Sequence, residues 1–192
     1  MSLRVMLVDD EPERCELVQA ALTSAGFELV SIQQSNAGLL QEVTRVSPDV
    51  IVIDLGSPDR DVLESMQQLS RDNPHPVVMF AEESNAQATR DAIEAGVSAY
   101  VVDGLQPSRV QSVVELAVAR FNQYNALKQE LREAKSTLAE RKQIDRAKGI
   151  LMDRSRCSES EAYHALRKLA MDRNKTIGEI AESVIATAEL LK

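Results

Sequence analysis

Lysine is missing from the first 127 residues of this 192-residue chain, tryptophan is missing altogether, and there are only two cysteines and two histidines. Cys15 and Cys157 stand on separate segments with no CxxC spacing, which excludes a disulfide framework and leaves two inert thiols. His75 and His164 make no metal-binding pair, and neither a glycine-rich phosphate loop nor a nucleophile elbow is present, so the chain is not expected to be an enzyme. No run of about 20 apolar residues could span a bilayer. The opening MSLRVMLVDDEPE lacks the basic start and long apolar stretch of a secretory signal, so a cytoplasmic protein is expected.

With 44% hydrophobic and 27% charged residues the chain can build a core, which excludes intrinsic disorder. Its formal charge of −8 hides a lopsided distribution. Residues 1–107 carry six arginines against eighteen acids, a net −12, whereas residues 108–192 carry a net +4. The first lysine is Lys128. A nucleic-acid partner would therefore meet the C-terminal part, while the N-terminal part would repel it.

Up to about residue 106, short β-branched runs alternate with amphipathic stretches, the pattern of an α/β fold with a parallel sheet covered on both faces. Strands are predicted at Arg4 to Val8, Glu28 to Ile32, Val50 to Asp54, Val77 to Phe80 and Ala99 to Val102. Helices are predicted over Pro12 to Ala25, opened by proline and stopped by Gly26, and over Asn36 to Val46, Asp61 to Arg71 and Asn85 to Ala95, the last stopped by Gly96. This is a five-stranded, flavodoxin-like arrangement.

From Pro107 one helical pattern continues without glycine or proline until Gly149. Its heptads place Val110, Ala117, Tyr124, Leu131 and Leu138 at a, and Val113, Arg120, Leu127 and Ala134 at d. Such a seam suits a coiled coil between two chains, and the competing reading is a helix folded back on its own domain. The seam degrades at Arg141 and Asp145. Two capping boxes follow, Ser158 with Glu161 and Thr176 with Glu179, so three helices are expected, ending near Arg154, Arg173 and Leu191. Their apolar faces are Ile144, Ala147 and Leu151; Ala162, Leu166, Leu169 and Ala170; and Ile180, Val184, Ile185 and Leu191. A unit this small has a thin core. The expected organisation is thus a domain over 1–106, a coiled-coil linker helix over 107–140 and a three-helix domain over 141–192.

In doubly wound sheets function gathers beyond the carboxyl ends of the strands. Asp9 and Asp10 follow the first strand there, and Asp54 the third. Three converging carboxylates would repel one another unless a hard cation such as Mg²⁺ neutralised them. Alternatively, Asp9 or Asp10 caps the helix at Pro12 and Asp54 is simply solvated.

VMLVDDEP at 5–12, PDVIVIDLGSP at 48–58, PVVMF at 76–80 and GVSAYVVDG at 96–104 resemble a response-regulator receiver domain. The resemblance implies that Asp54 is the phosphoacceptor and that Asp9 and Asp10, with Asp54, hold Mg²⁺. Two positions depart from the family. Its hydroxyl residue after the fourth strand aligns with Ala81, and its lysine after the fifth aligns with Asp103. No shift of alignment restores that lysine, because none precedes Lys128. A phosphoaspartate would lack both the hydrogen bond and the cation that offset its charge. A pseudo-receiver that docks another protein is expected.

The stretch ERKQIDRAKGILMDRSRCSESEAYHALRKLAMDRNKTIGEIAESVI at 140–185 resembles an ANTAR domain, the RNA-binding antitermination module of amidase and nitrate-assimilation regulators. The whole chain is similar to the NasT-type regulators of nitrate and nitrite assimilation. The resemblance implies an antiterminator that binds hairpins in nascent leader mRNA. It also implies a nitrate- or nitrite-binding sensor protein as partner, and no required cofactor. The coil would make a homodimer and bring two RNA-binding modules to one transcript. Arg141, Lys142, Arg146 and Lys148 lie on successive turns of one helix, and Arg167, Lys168, Arg173 and Lys175 end the next helix and its loop. Such clusters can neutralise phosphates, and Tyr163 beside His164 offers faces on which unpaired bases stack. Each of these basic residues could equally cover a solvated helix face, and Tyr163 could be a core contact. Gly149 costs about 1 kcal/mol inside a helix, which suggests that a helix or RNA approaches it closely. The rival function is a phosphorylation-activated response regulator acting on DNA, for which residues 141–192 show no helix-turn-helix.

Overall fold

The computed structural model describes residues 2–55, 60–81, 85–102 and 106–190. Asp103, at the position of the family's lysine, lies outside the described residues, as does Leu191.

The elements run β1 (Arg4–Asp9), α1 (Pro12–Ser24), β2 (Glu28–Gln33), α2 (Leu39–Val46), β3 (Val50–Asp54), α3 (Arg60–Asp72), β4 (Val77–Ala81), α4 (Ala86–Glu94), β5 (Ala99–Val102), α5 (Pro107–Ser155), α6 (Glu159–Arg173) and α7 (Ile177–Leu190). They form two compact units, Met1–Asn125 and Ala126–Lys192.

In the first unit all strand pairings are parallel, in the order β2-β1-β3-β4-β5. Alternate residues of each strand feed opposite cores, the two-residue period of a pleated strand. Met6, Val8, Ile51, Ile53 and Met79 pack with Val43, Met66 and Leu69 from α2 and α3. Val5, Leu7, Val52 and Phe80 pack on the other face with Val18 and Leu22 of α1. Both faces being covered, β1, β3 and β4 read as nearly unbroken apolar runs.

The same second core also takes Val110, Val114 and Ala117, all sealed from solvent. The start of the heptad seam, assigned above to a partner chain at Val110 and Ala117, is therefore spent on the sheet. Every fourth and seventh residue lies on one face of a helix whatever that face meets, so the spacing alone did not distinguish the two. The expected start of α2 at Asn36 is also corrected. Gly38, at φ +72°, holds the N-cap in the left-handed region, and the helix begins at Leu39.

In the second unit Ala147, Leu166, Ala170, Ile180, Ala181 and Ile185 form the buried core, with Ile144, Ile150, Leu151, Leu169, Ile177 and Val184 packed around it. Both capping boxes are present. Ser158 N–H donates to Glu161 Oε2 at 2.8 Å and Glu161 N–H to Ser158 Oγ at 3.3 Å. Thr176 and Glu179 repeat the exchange at 2.7 and 3.2 Å. Among the described residues no helix is long and apolar enough to cross a membrane.

Candidate acidic pocket and nucleic-acid interface

Asp9 and Asp54 end adjacent parallel strands as register partners. Both are almost completely buried, at 0% and 1% exposure. Pro12 opens α1 two residues after the strand turns out of the sheet, which sets Arg14 on the first helical turn, facing back over the strand ends. Its Nη2 donates to Asp9 Oδ1 at 3.1 Å, to Asp10 Oδ1 at 3.0 Å and to the carbonyl of Asp54 at 3.1 Å. Nη1 lies 3.2 Å from Glu11 Oε2, and Nε lies 3.5 Å from Asp54 Oδ2. The Arg14 side chain is 19% exposed. Its burial works against the cation, but the hydrogen bond to Asp9 and the charges of Asp54, Asp9 and Asp10 outweigh it and raise the guanidinium pKa further.

The structure thus brings together Asp9, Asp10 and Asp54, the three carboxylates expected to converge, and adds a residue that the sequence reading did not name. The available signal was the i,i+4 spacing of Asp10 and Arg14 at a helix start. Neither aspartate is the helix cap. Glu11 holds the N-cap without a side-chain cap bond, and Asp9 Oδ1 accepts the Glu11 N–H at 3.0 Å. Among these carboxylates Asp9 Oδ2 is buried with no hydrogen-bond partner, whereas the Oδ1 atoms of Asp9 and Asp10 already face a cation. The point that Asp9 Oδ1 and Asp10 Oδ1 both face is taken by Arg14 Nη2, and among the described residues no group of three or more His, Cys, Asp or Glu side chains is placed to hold a metal ion. Ala81 ends β4 fully buried and offers no hydroxyl. Burial, then the charges of Asp9 and Glu16, push the nearby Cys15 thiol up, which keeps it protonated.

In the second unit the nine candidate RNA contacts separate into two groups. Arg146 Nη2 pairs with Glu189 Oε1 at 2.6 Å. Lys148 Nζ lies 2.7 Å from both Asp145 Oδ1 and Glu159 Oε1, and its side chain is only 15% exposed. These two cations are paired within the unit; helical spacing could show only the i,i+3 pair of Lys148 with Asp145, because Glu159 and Glu189 lie on other helices. Arg141, Lys142, Arg167, Lys168, Arg173 and Lys175 are exposed. On α6, Ala162, Leu166 and Ala170 point into the core. Tyr163, Arg167 and Met171 form one exposed row at four-residue spacing, with His164 and Lys168 in the row beside it. The Tyr163 and His164 rings meet edge-on, with centroids 6.4 Å apart. Tyr163 is thus not a core contact. Among the described residues nothing lies within 4 Å of where a Cβ on Gly149 would sit, and no close helix is found there.

A doubly wound receiver fold with acids at the ends of β1 and β3, followed by a capped helical unit, is the architecture of a response regulator. The response regulator receiver domain family matches residues 5–115 and the ANTAR domain family matches residues 132–185. This chain belongs to the response regulators that join a receiver domain to an ANTAR domain. It is 31% identical over 189 residues to the transcriptional regulatory protein PdtaR of Mycobacterium tuberculosis, covering 96% of this chain and 90% of that protein. The receiver domain of NarL from the same species superposes with a TM-score of 0.56 at 21% identity, covering 62% of this chain and 97% of that domain. A LuxR-family two-component response regulator from Aurantimonas superposes with a TM-score of 0.56 at 24% identity, covering 62% and 86%. At these identities the two structures show the fold alone.

Proposed function

We propose that this response regulator is a transcription antiterminator that binds hairpins in nascent leader mRNA through the exposed face of α6. The observation that carries the reading is the row of Tyr163, Arg167 and Met171 beside His164 and Lys168, opposite the buried Ala162, Leu166 and Ala170. It combines phosphate-neutralising cations with stacking faces on a scaffold held from behind. Arg141, Lys142, Arg173 and Lys175 extend the positive surface, whereas Arg146 and Lys148 are paired with carboxylates within the unit. No covalent chemistry is needed.

Control rests with the receiver. Asp54 is buried beside Arg14, and Ala81 supplies no hydroxyl to a phosphoryl group. The receiver works as a docking surface for a sensor protein, and the target genes are those of nitrate and nitrite assimilation. Self-association through the part of α5 that leaves Tyr124, Leu127, Leu131 and Leu138 exposed supplies a homodimer.

Binding of the full chain to its own operon's leader RNA and to the same sequence as duplex DNA, each at two salt concentrations, tests the first claim. RNA is expected to bind more tightly, with affinity falling as salt rises, and equal affinity for both would overturn the reading. Intact mass after treatment with a small phosphodonor tests the second, and stoichiometric modification of Asp54 would overturn it.

A further inference from the structure

We propose that Arg14 is the resident cation of the acidic pocket and replaces a divalent metal ion there. The inference rests on the receiver half of the reading above and is independent of RNA binding. Three oxygens from three residues, Asp9 Oδ1, Asp10 Oδ1 and the Asp54 carbonyl, surround Nη2 at 3.0 to 3.1 Å. That is the coordination position of a cation, filled by a nitrogen. An Mg²⁺ ion bound by the same carboxylate oxygens would need them at about 2.1 Å, so it would occupy the volume that Nη2 fills. Metal binding through those two oxygens therefore requires the guanidinium to leave.

Leaving is costly because Nη2 alone makes three hydrogen bonds and the rest of the fork lies beside further carboxylates. Nη1 pairs with Glu11 and Nε faces Asp54 Oδ2. The helix that carries Arg14 is fixed by Val18 and Leu22, both buried against the sheet. A planar guanidinium suits several carboxylates at once, and it does not lose its proton. The pocket's charge is thus set by a covalently attached group and does not follow the concentration of divalent ions. A receiver built this way holds one state of its strand ends, as expected of a docking surface.

The test uses the full chain. Mn²⁺ binding is followed by the loss of the free-ion electron paramagnetic resonance signal, and thermal unfolding is measured without metal and at about 10 mM MgCl₂. Wild type is expected to show no saturable Mn²⁺ site, and its Tm should move by less than about 1 °C with Mg²⁺. Arg14→Met, which opens the position between the carboxylates, should gain a Mn²⁺ site and a Tm rise of several degrees in Mg²⁺. Arg14→Lys, which keeps a cation, should remain close to wild type. A saturable site in wild type with Kd below about 1 mM would overturn the proposal. So would an Arg14→Met protein that folds and responds to metal no more than wild type, or an Arg14→Lys protein that responds as strongly as Arg14→Met. If Arg14→Met folds only when Mg²⁺ is present, the proposal is supported. If it fails to fold in either condition, the wild-type titration and Arg14→Lys decide. Phosphorylation is read separately by mass, so the failure of one claim is distinguishable from that of the other.

Discussion

Asp9 and Asp54 stand side by side at the ends of β1 and β3, both sealed from solvent, and Arg14 reaches across both from the first turn of α1. Removing that cation leaves buried carboxylates without their neighbouring charge, a loss that costs about 3 kcal/mol or more when a buried pair is broken on one side. Arg14→Ala is expected to lose about that much stability in metal-free urea unfolding. Asp54→Asn should cost distinctly less, because Asp9 and Arg14 then balance. A larger loss for Asp54→Asn would show that the cation is not what holds the pocket.

The basic residues of the second unit are predicted to divide by their partners. Arg167→Ala and Lys168→Ala should each weaken leader-RNA binding and lower the slope of log K against log salt by about 1. Tyr163→Ala should cost about 1 to 3 kcal/mol of binding if a base stacks on it, and Tyr163→Phe should recover most of that. Lys148→Ala should leave the salt slope nearly unchanged. Asp145 and Glu159 are both more than half exposed, so its stability cost should be within about 1 kcal/mol. Filter binding over a salt series, with circular dichroism on the same proteins, separates the two groups.

Most of the fold was legible because local chemistry and tertiary packing agree in it. The boundaries of β3 and β5 coincide with the predicted ones, and Ser158 and Thr176 cap α6 and α7 as their spacing with Glu161 and Glu179 implied. Legibility fails where one pattern serves two partners. Val110 and Ala117 satisfy a heptad and a sheet core equally well. Arg146 and Lys148 look like a phosphate-binding stripe until Glu189 and Glu159 arrive from other helices. Arg14 was invisible for a related reason. Its i,i+4 pairing with Asp10 is local, but its role comes from Asp54, forty residues away.

Self-association is expected to depend on the later part of the seam only. Tyr124, Leu127, Leu131 and Leu138 are 54 to 64% exposed, whereas Val114 is fully buried in the receiver core. Leu131→Lys should shift sedimentation toward monomer without changing the unfolding midpoint measured on the receiver. Val114→Asp should instead destabilise the receiver itself, because it buries a charge without a partner. Unchanged self-association in Leu131→Lys would remove the seam as the dimer contact.

Acid should erode specific local contacts. The hydrogen bonds of Glu42 to Arg45 and then Ser31 hold its carboxyl at about 2, below the ordinary 4.5. The backbone N–H groups of Ser158 and Thr176, followed by their hydroxyls, lower Glu161 and Glu179. A carboxylate whose pKa is depressed on folding contributes stability that is fully present above its unfolded value and is lost as pH falls through its folded value. For Glu42 that window runs from about 4.5 down to about 2. Unfolding midpoints measured across it should fall less steeply in Glu42→Gln than in wild type, and identical profiles would show that the Glu42 contacts do not form in solution.

Gly149 distinguishes a structural from a recognition role. It lies inside α5, where glycine costs about 1 kcal/mol relative to alanine. Its φ is not in the left-handed region, and among the described residues no atom stands within 4 Å of a Cβ placed there. Nothing among the described residues therefore requires a glycine, and Gly149→Ala should raise stability by about 1 kcal/mol. If RNA passes close to this backbone, the same substitution should weaken leader-RNA binding while the protein becomes more stable, a combination that a purely structural glycine cannot produce. Stabilisation with unchanged affinity would place the RNA elsewhere, over Arg167 and Lys168. Paired measurements of thermal unfolding and RNA affinity on this one variant decide between the two.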